Sequence, residues 1–221
     1  VRVVEAWLLY DGYAFEDARY VIIRVNDFRF ILRGNMSHQI AKRWFSVDEY
    51  YRMAEAGILR EDDRVELIEG EIVEMSPIGS RHASCVRRLN ELLFRDIGQA
   101  AIISVQSPIR IDDYSEPEPD VAVLKRREDF YAEGHPTASD VLLLIEVADT
   151  SVEYDRNIKL PLYAKAGISE VWLVNLPQET IEIYRQPLDK TYREVRLVKR
   201  GESLEAEALS NLMLEAENIL G

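Results

Sequence analysis

Pro117-Glu118-Pro119-Asp120-Val121-Ala122-Val123 and, further on, Val141-Leu142-Leu143-Leu144-Ile145-Glu146-Val147 decide how this chain is read. Each acid, Asp120 and Glu146, interrupts a run that is otherwise apolar, the pattern of a strand buried on both faces. An ionised carboxylate in such a run costs several kcal/mol unless a cation or hydrogen bonds compensate it. The two runs are therefore expected on neighbouring strands, with the carboxylates close enough to share one ion. Lys159 follows shortly after, just inside a helix expected over about 157–166, and brings a positive charge near both. Two acids and a lysine at strand ends suit a hydrolytic site built on a divalent cation. Oxygen ligands hold Mg²⁺ or Mn²⁺, the ion polarises a phosphate and acidifies bound water, and the lysine positions or deprotonates that water. Each residue also has a plainer reading: a turn acid for Asp120, an arginine-paired buried acid for Glu146, a surface lysine for Lys159.

Working outward, Ser46-Val47-Asp48-Glu49 has the form of a capping box opening a helix that Gly57 closes. Arg64 to Met75 alternates around Glu69-Gly70 and reads as a tight hairpin, with Glu66 before the turn and facing the same cleft. A helix is expected over Ser80–Ile97, with His82, Val86, Leu89, Leu93 and Ile97 on one stripe. His82 is thus either a satisfied core histidine or a site residue. Three strands are expected over 101–111, 120–124 and 141–148. An apolar strand over 170–176 follows the 157–166 helix, 180–184 is expected to pair with it or with its neighbour, and 188–221 reads as a last strand and an acidic tail anchored by Leu209, Leu212, Leu214 and Leu220. That order predicts an α/β (α+β) domain, a mixed sheet flanked by helices.

Composition sets the limits. The 221 residues are 47% hydrophobic, enough to bury a full core as one domain, and no apolar run reaches membrane-spanning length. The start of the chain lacks the order of a signal peptide. A single cysteine, Cys85, allows no intrachain disulfide and no thiolate zinc site, and fits a reduced cytoplasmic setting. His38 and His135 stand in loops without partners at ligand spacing, so a zinc site is not expected. Phosphate-cradling glycine loops, serine-nucleophile elbows and dinucleotide fingerprints are missing, which removes ATP, serine-hydrolase and nicotinamide chemistry. The net charge of −13 argues against unspecific coating of nucleic acid. It leaves room for local basic patches at Arg81, Arg87 and Arg88, and at Lys125, Arg126 and Arg127.

Residues 1–35 differ from the rest, with an apolar start and a partly alternating stretch before Gly34-Asn35. Met36-Ser37-His38 reads as an ordinary translation start, so 1–35 is expected to be an atypical extension arising from a misassigned start, or else a genuine extra hairpin. Residues 36–221 are expected to form a single domain.

A family resemblance adds to this. RVELIEGEIVEMSP over Arg64–Pro77 followed by His82, EPDVAV over Glu118–Val123, LIEV over Leu144–Val147, YDRNIK over Tyr154–Lys159 and YAKAGISEVWLVN over Tyr163–Asn175 together resemble the Uma-type restriction endonuclease family of bacteria, grouped with the PD-(D/E)XK nucleases. The resemblance runs from about Trp44 to the C-terminus. It implies a restriction-endonuclease-like core, metal ligands at Asp120 and Glu146, DNA as partner, and hydrolysis of its phosphodiester bonds by a Mg²⁺-activated water. A homo-oligomer is left open. The superfamily pattern expects Glu-x-Lys, whereas this chain has Glu146-Val147-Ala148; Lys159 resembles the relocated lysine of the family. Glu66 and His82 match recurrent family positions. The competing expectation is a nuclease fold kept without catalysis, as a binding or assembly module.

Overall fold

The structure is a computed structural model that describes residues 20–25, 28–33, 42–60 and 62–221. The chain divides into two compact units, Val1–Lys42 and Arg43–Gly221. In the first, β1 (Tyr20–Val25) and β2 (Phe28–Arg33) pair as an antiparallel hairpin. The readings of the apolar start, of Met36 and of His38 lie outside the described residues.

The second unit opens with α1 (Val47–Glu55), capped by Ser46 and Glu49 in the reciprocal box its sequence calls for. β3 (Val65–Ile68) and β4 (Glu71–Glu74) form the expected hairpin, and α2 runs over Ser80–Ile97. Glu69 and Gly70 both take left-handed φ, +47° and +81°. A two-residue hairpin turn that follows strand twist requires this. Then come β5 (Ala101–Val105), β6 (Val121–Lys125) and β7 (Val141–Ala148). A helical crossover follows, with α3 (Val152–Tyr154), a π turn over Asp155–Lys159 and α4 (Leu160–Lys165), and leads into β8 (Glu170–Asn175). β9 (Thr180–Leu188), β10 (Thr191–Lys199), β11 (Ser203–Ala206), β12 (Leu209–Glu215) and α5 (Ala216–Leu220) complete the chain.

β5 to β10 form one mixed sheet in the order β10-β9-β8-β7-β6-β5. Its neighbours are antiparallel except β7 and β8, which run parallel. Parallel neighbours cannot be joined by a tight turn, so a long crossover must leave the end of β7 and return over the sheet. That crossover carries Lys159. Strand alternation sends Val121, Val123, Leu143, Ile145 and Val147 to a core shared with α2, β11, β12 and α5, and Ala122, Leu124, Leu144 and Ala148 to a second core under α4. Leu89 and Leu93 are wholly buried in the first core, each worth roughly 1.5–3 kcal/mol of transfer free energy.

Three expectations need correction. The strand over 101–111 ends at Val105, because Gln106 turns the chain with φ +47°; Asp120 likewise stands one residue before β6. The helix expected over 157–166 begins at Val152, and Lys159 closes a π turn inside it. Pro161 has no N–H to return to the preceding turn, and the N–H of Leu160 reaches back five residues to Asp155. The acidic tail is a folded hairpin and helix. Leu212, Leu214 and Ala216 alternate inward with exposed Met213 and Glu215 between them. Among the described residues, no helix is long and apolar enough to cross a membrane.

Candidate active site

The β6–β7 ladder sets the centre. Val121 pairs with Ile145, so the antiparallel register places Asp120 across from Glu146, and the Asp120 amide donates to Glu146 Oε2 at 3.4 Å. The two acids thus share one end of adjacent strands, as their sequence runs imply. Glu146 belongs by alternation to the α4 face and is buried. Its Oε1 accepts from the Tyr163 hydroxyl at 2.6 Å and lies 3.2 Å from Lys159 Nζ. Asp120 Oδ2 accepts the Val147 backbone N–H at 2.9 Å and faces His82 Nε2 at 3.0 Å, while Oδ1 accepts from the Gln106 side-chain Nε2 at 3.2 Å.

The β3–β4 hairpin closes the other side. Glu66, 2% exposed, takes the Glu118 amide on Oε2 at 3.1 Å and the Tyr154 hydroxyl on Oε1 at 3.2 Å. Its Oε2 also lies 3.1 Å from Lys159 Nζ. Asp120, Glu146, Lys159, Glu66 and His82, singled out in sequence, therefore all line one cleft of about 410 Å³. His135 does not line it; it stacks on Tyr51. Of the basic clusters, Arg88 holds the Ile219 and Leu220 carbonyls, Lys125 the Ser139 carbonyl and Arg127 pairs with Asp129, while Arg81 lies 3.8 Å from Asp149 at the cleft.

The charges are unbalanced. Burial pushes the Glu146 carboxyl up to about 8, with Lys159 opposing and Asp155 and Asp120 reinforcing. Burial also raises Asp155 and Glu118, and the Asp120 hydrogen bond raises His82. For Lys159 burial works downward, but Glu146, Glu66 and Asp155 outweigh it and its pKa is raised. Three carboxylates around one ammonium keep the lysine charged, while one lysine is too little to offset a buried glutamate among acids. A cleft with this excess of carboxylate oxygen suits a hard cation. No three His, Cys, Asp or Glu side chains converge as a closed metal cage among the described residues. Mg²⁺ does not need one, since it binds through one or two carboxylates and keeps water or substrate oxygens on its other positions. Asp120 and Glu146 fit that demand.

Sequence reading did not single out Tyr163, Gln106, Tyr154, Asp155 or Glu118. For two of them the signal was present: Asp155, Lys159 and Tyr163 recur every four residues, a single face of a helical segment. Gln106 carried no such mark, because only the turn after β5 brings it to Asp120.

A mixed sheet with helices on both faces and acids at the ends of its central strands defines a protein of nuclease fold. The crystal structure of a putative nuclease belonging to DUF820, from Anabaena variabilis, superimposes with a TM-score of 0.61 at 17% identity, covering 80% of this chain and 97% of that one. The model of the Uma2 family, described as "Putative restriction endonuclease", matches residues 47–217, and the chain belongs to that family. No curated protein matches it.

Proposed function

We propose that this protein is a metal-dependent endonuclease that hydrolyses DNA phosphodiester bonds in the cleft between the β3–β4 hairpin and the β6–β7 strand ends. The observation that carries the reading is the facing of Asp120 and Glu146 across one ladder, with Lys159 Nζ 3.2 Å from Glu146 Oε1. Asp120 and Glu146 would hold Mg²⁺ or Mn²⁺, which when bound supplies an acidified water and neutralises phosphate charge. Lys159, held protonated by its acidic neighbours, is a poor base; its ammonium serves to stabilise negative charge as it develops on the phosphate. Ala148, at the usual lysine position, is fully buried against the α4 core, so the crossover supplies the cation instead. Glu66 holds that ammonium from the hairpin side. With a net charge of −13 and only local basic patches, DNA attraction is weak and salt-sensitive.

The ion pairs that enclose Lys159 favour a second reading, a nuclease fold retained for binding. Nicking of supercoiled plasmid at low salt separates the two. The expected result is Mg²⁺- or Mn²⁺-dependent nicking by wild type that is lost in Asp120→Asn. Metal binding without cleavage of any DNA or RNA would overturn the enzymatic reading in favour of the binding module.

A further inference from the structure

We infer that the Tyr163 hydroxyl is a positioning group that decides which oxygen of Glu146 faces a divalent cation; this rests on the metal-site reading above. The two carboxylates share one arrangement. Each has one oxygen held by two protein groups and one that receives a single, longer hydrogen bond. On Glu146, Oε1 takes the Tyr163 hydroxyl at 2.6 Å and the Lys159 ammonium at 3.2 Å, and Oε2 takes only the Asp120 amide at 3.4 Å. On Asp120, Oδ2 takes Val147 N–H at 2.9 Å with His82 at 3.0 Å, and Oδ1 takes only the Gln106 side-chain Nε2 at 3.2 Å.

The hydroxyl is the sharper of the two constraints on Oε1. Tyr163 is wholly buried in the α4 core, so its ring cannot turn away, and a phenol donates along one direction. An ammonium has three donors on a flexible stem and also serves Glu66. Without the hydroxyl, Glu146 can rotate about its terminal bond and offer either oxygen to Lys159, and the cation loses a preset ligand. Groups that orient metal-binding carboxylates in this way typically contribute 10–100-fold to affinity.

The test is Mn²⁺ titration of wild type, Tyr163→Phe and Tyr192→Phe, followed by electron paramagnetic resonance of free Mn²⁺. Circular dichroism first establishes that each is folded at the assay temperature. Tyr192→Phe removes a different half-buried hydroxyl, one that holds the Ile168 carbonyl at 3.0 Å, and controls for a general packing loss. The expected result is a Kd for Mn²⁺ raised roughly 10-fold or more in Tyr163→Phe and unchanged in Tyr192→Phe. Equal affinity in wild type and Tyr163→Phe, equal weakening in both variants, or a Tyr163→Phe protein that is not folded would overturn the inference while leaving the metal site standing. Wild type that binds no Mn²⁺ would overturn the metal-site reading itself, and this inference with it.

Discussion

Lys159 Nζ lies 3.1 Å from Glu66 Oε2, and the contact joins the crossover after β7 to the β3–β4 hairpin. Both side chains are almost fully enclosed, and the same ammonium reaches Glu146. Lysine therefore has two tasks, one in the fold and one in the chemistry. Substituting it leaves two buried carboxylates without their cation.

Lys159→Met is accordingly expected to lower stability as well as turnover. Removing one partner of a buried pair costs about 3–5 kcal/mol, to be read from urea unfolding curves of the metal-free protein. Nicking, assayed well below the melting temperature, should fall roughly 10²–10³-fold, as when one transition-state donor is lost. Undiminished nicking would remove the lysine from the mechanism.

Mn²⁺ should raise the melting temperature of wild type, because a cation that binds only the folded chain stabilises it by mass action. Asp120→Asn should show a much smaller shift. Equal shifts in the two proteins would place the ion away from Asp120.

Stability of the metal-free protein should fall as pH rises from about 4.5 to about 8. Across that window folded Glu146 keeps a proton that the unfolded chain has released, since burial has raised its pKa to about 8. Stability declines wherever the native state binds more protons than the unfolded one. Asp155, Glu118 and His82 shift in the same direction and steepen the fall. Glu146→Gln cannot lose that proton, so its advantage over wild type in thermal melts should grow with pH. An advantage that shrinks toward pH 8 would contradict the assignment.

Gly70→Ala should destabilise the hairpin that presents Glu66. The residue has φ +81°, which costs an alanine about 1–2 kcal/mol. A Cβ there would also stand 2.8 Å from the Cβ of Trp44. The combined loss, read by urea unfolding, should exceed that of Ser46→Ala at the α1 cap, about 1 kcal/mol.

Local physics made much of this protein legible in its sequence. The capping box at Ser46, the Glu69-Gly70 turn and the apolar stripe of α2 depend on neighbours a few residues away, and each stands where it was read. The runs around Asp120 and Glu146 marked buried strand ends, because an acid among aliphatic residues needs a reason to be there. Only the tertiary structure decided what surrounds those acids. The parallel pairing of β7 with β8 forces a crossover, and Pro161 is accompanied by a π turn inside it that leaves Lys159 and Tyr163 on the same oxygen of Glu146. Glu66 reaches that lysine from 93 positions earlier in the chain, and Gln106 reaches Asp120 only through the turn after β5. Contacts of that kind depend on strand order and register, which arise when distant segments pack together, so no window of sequence contains them.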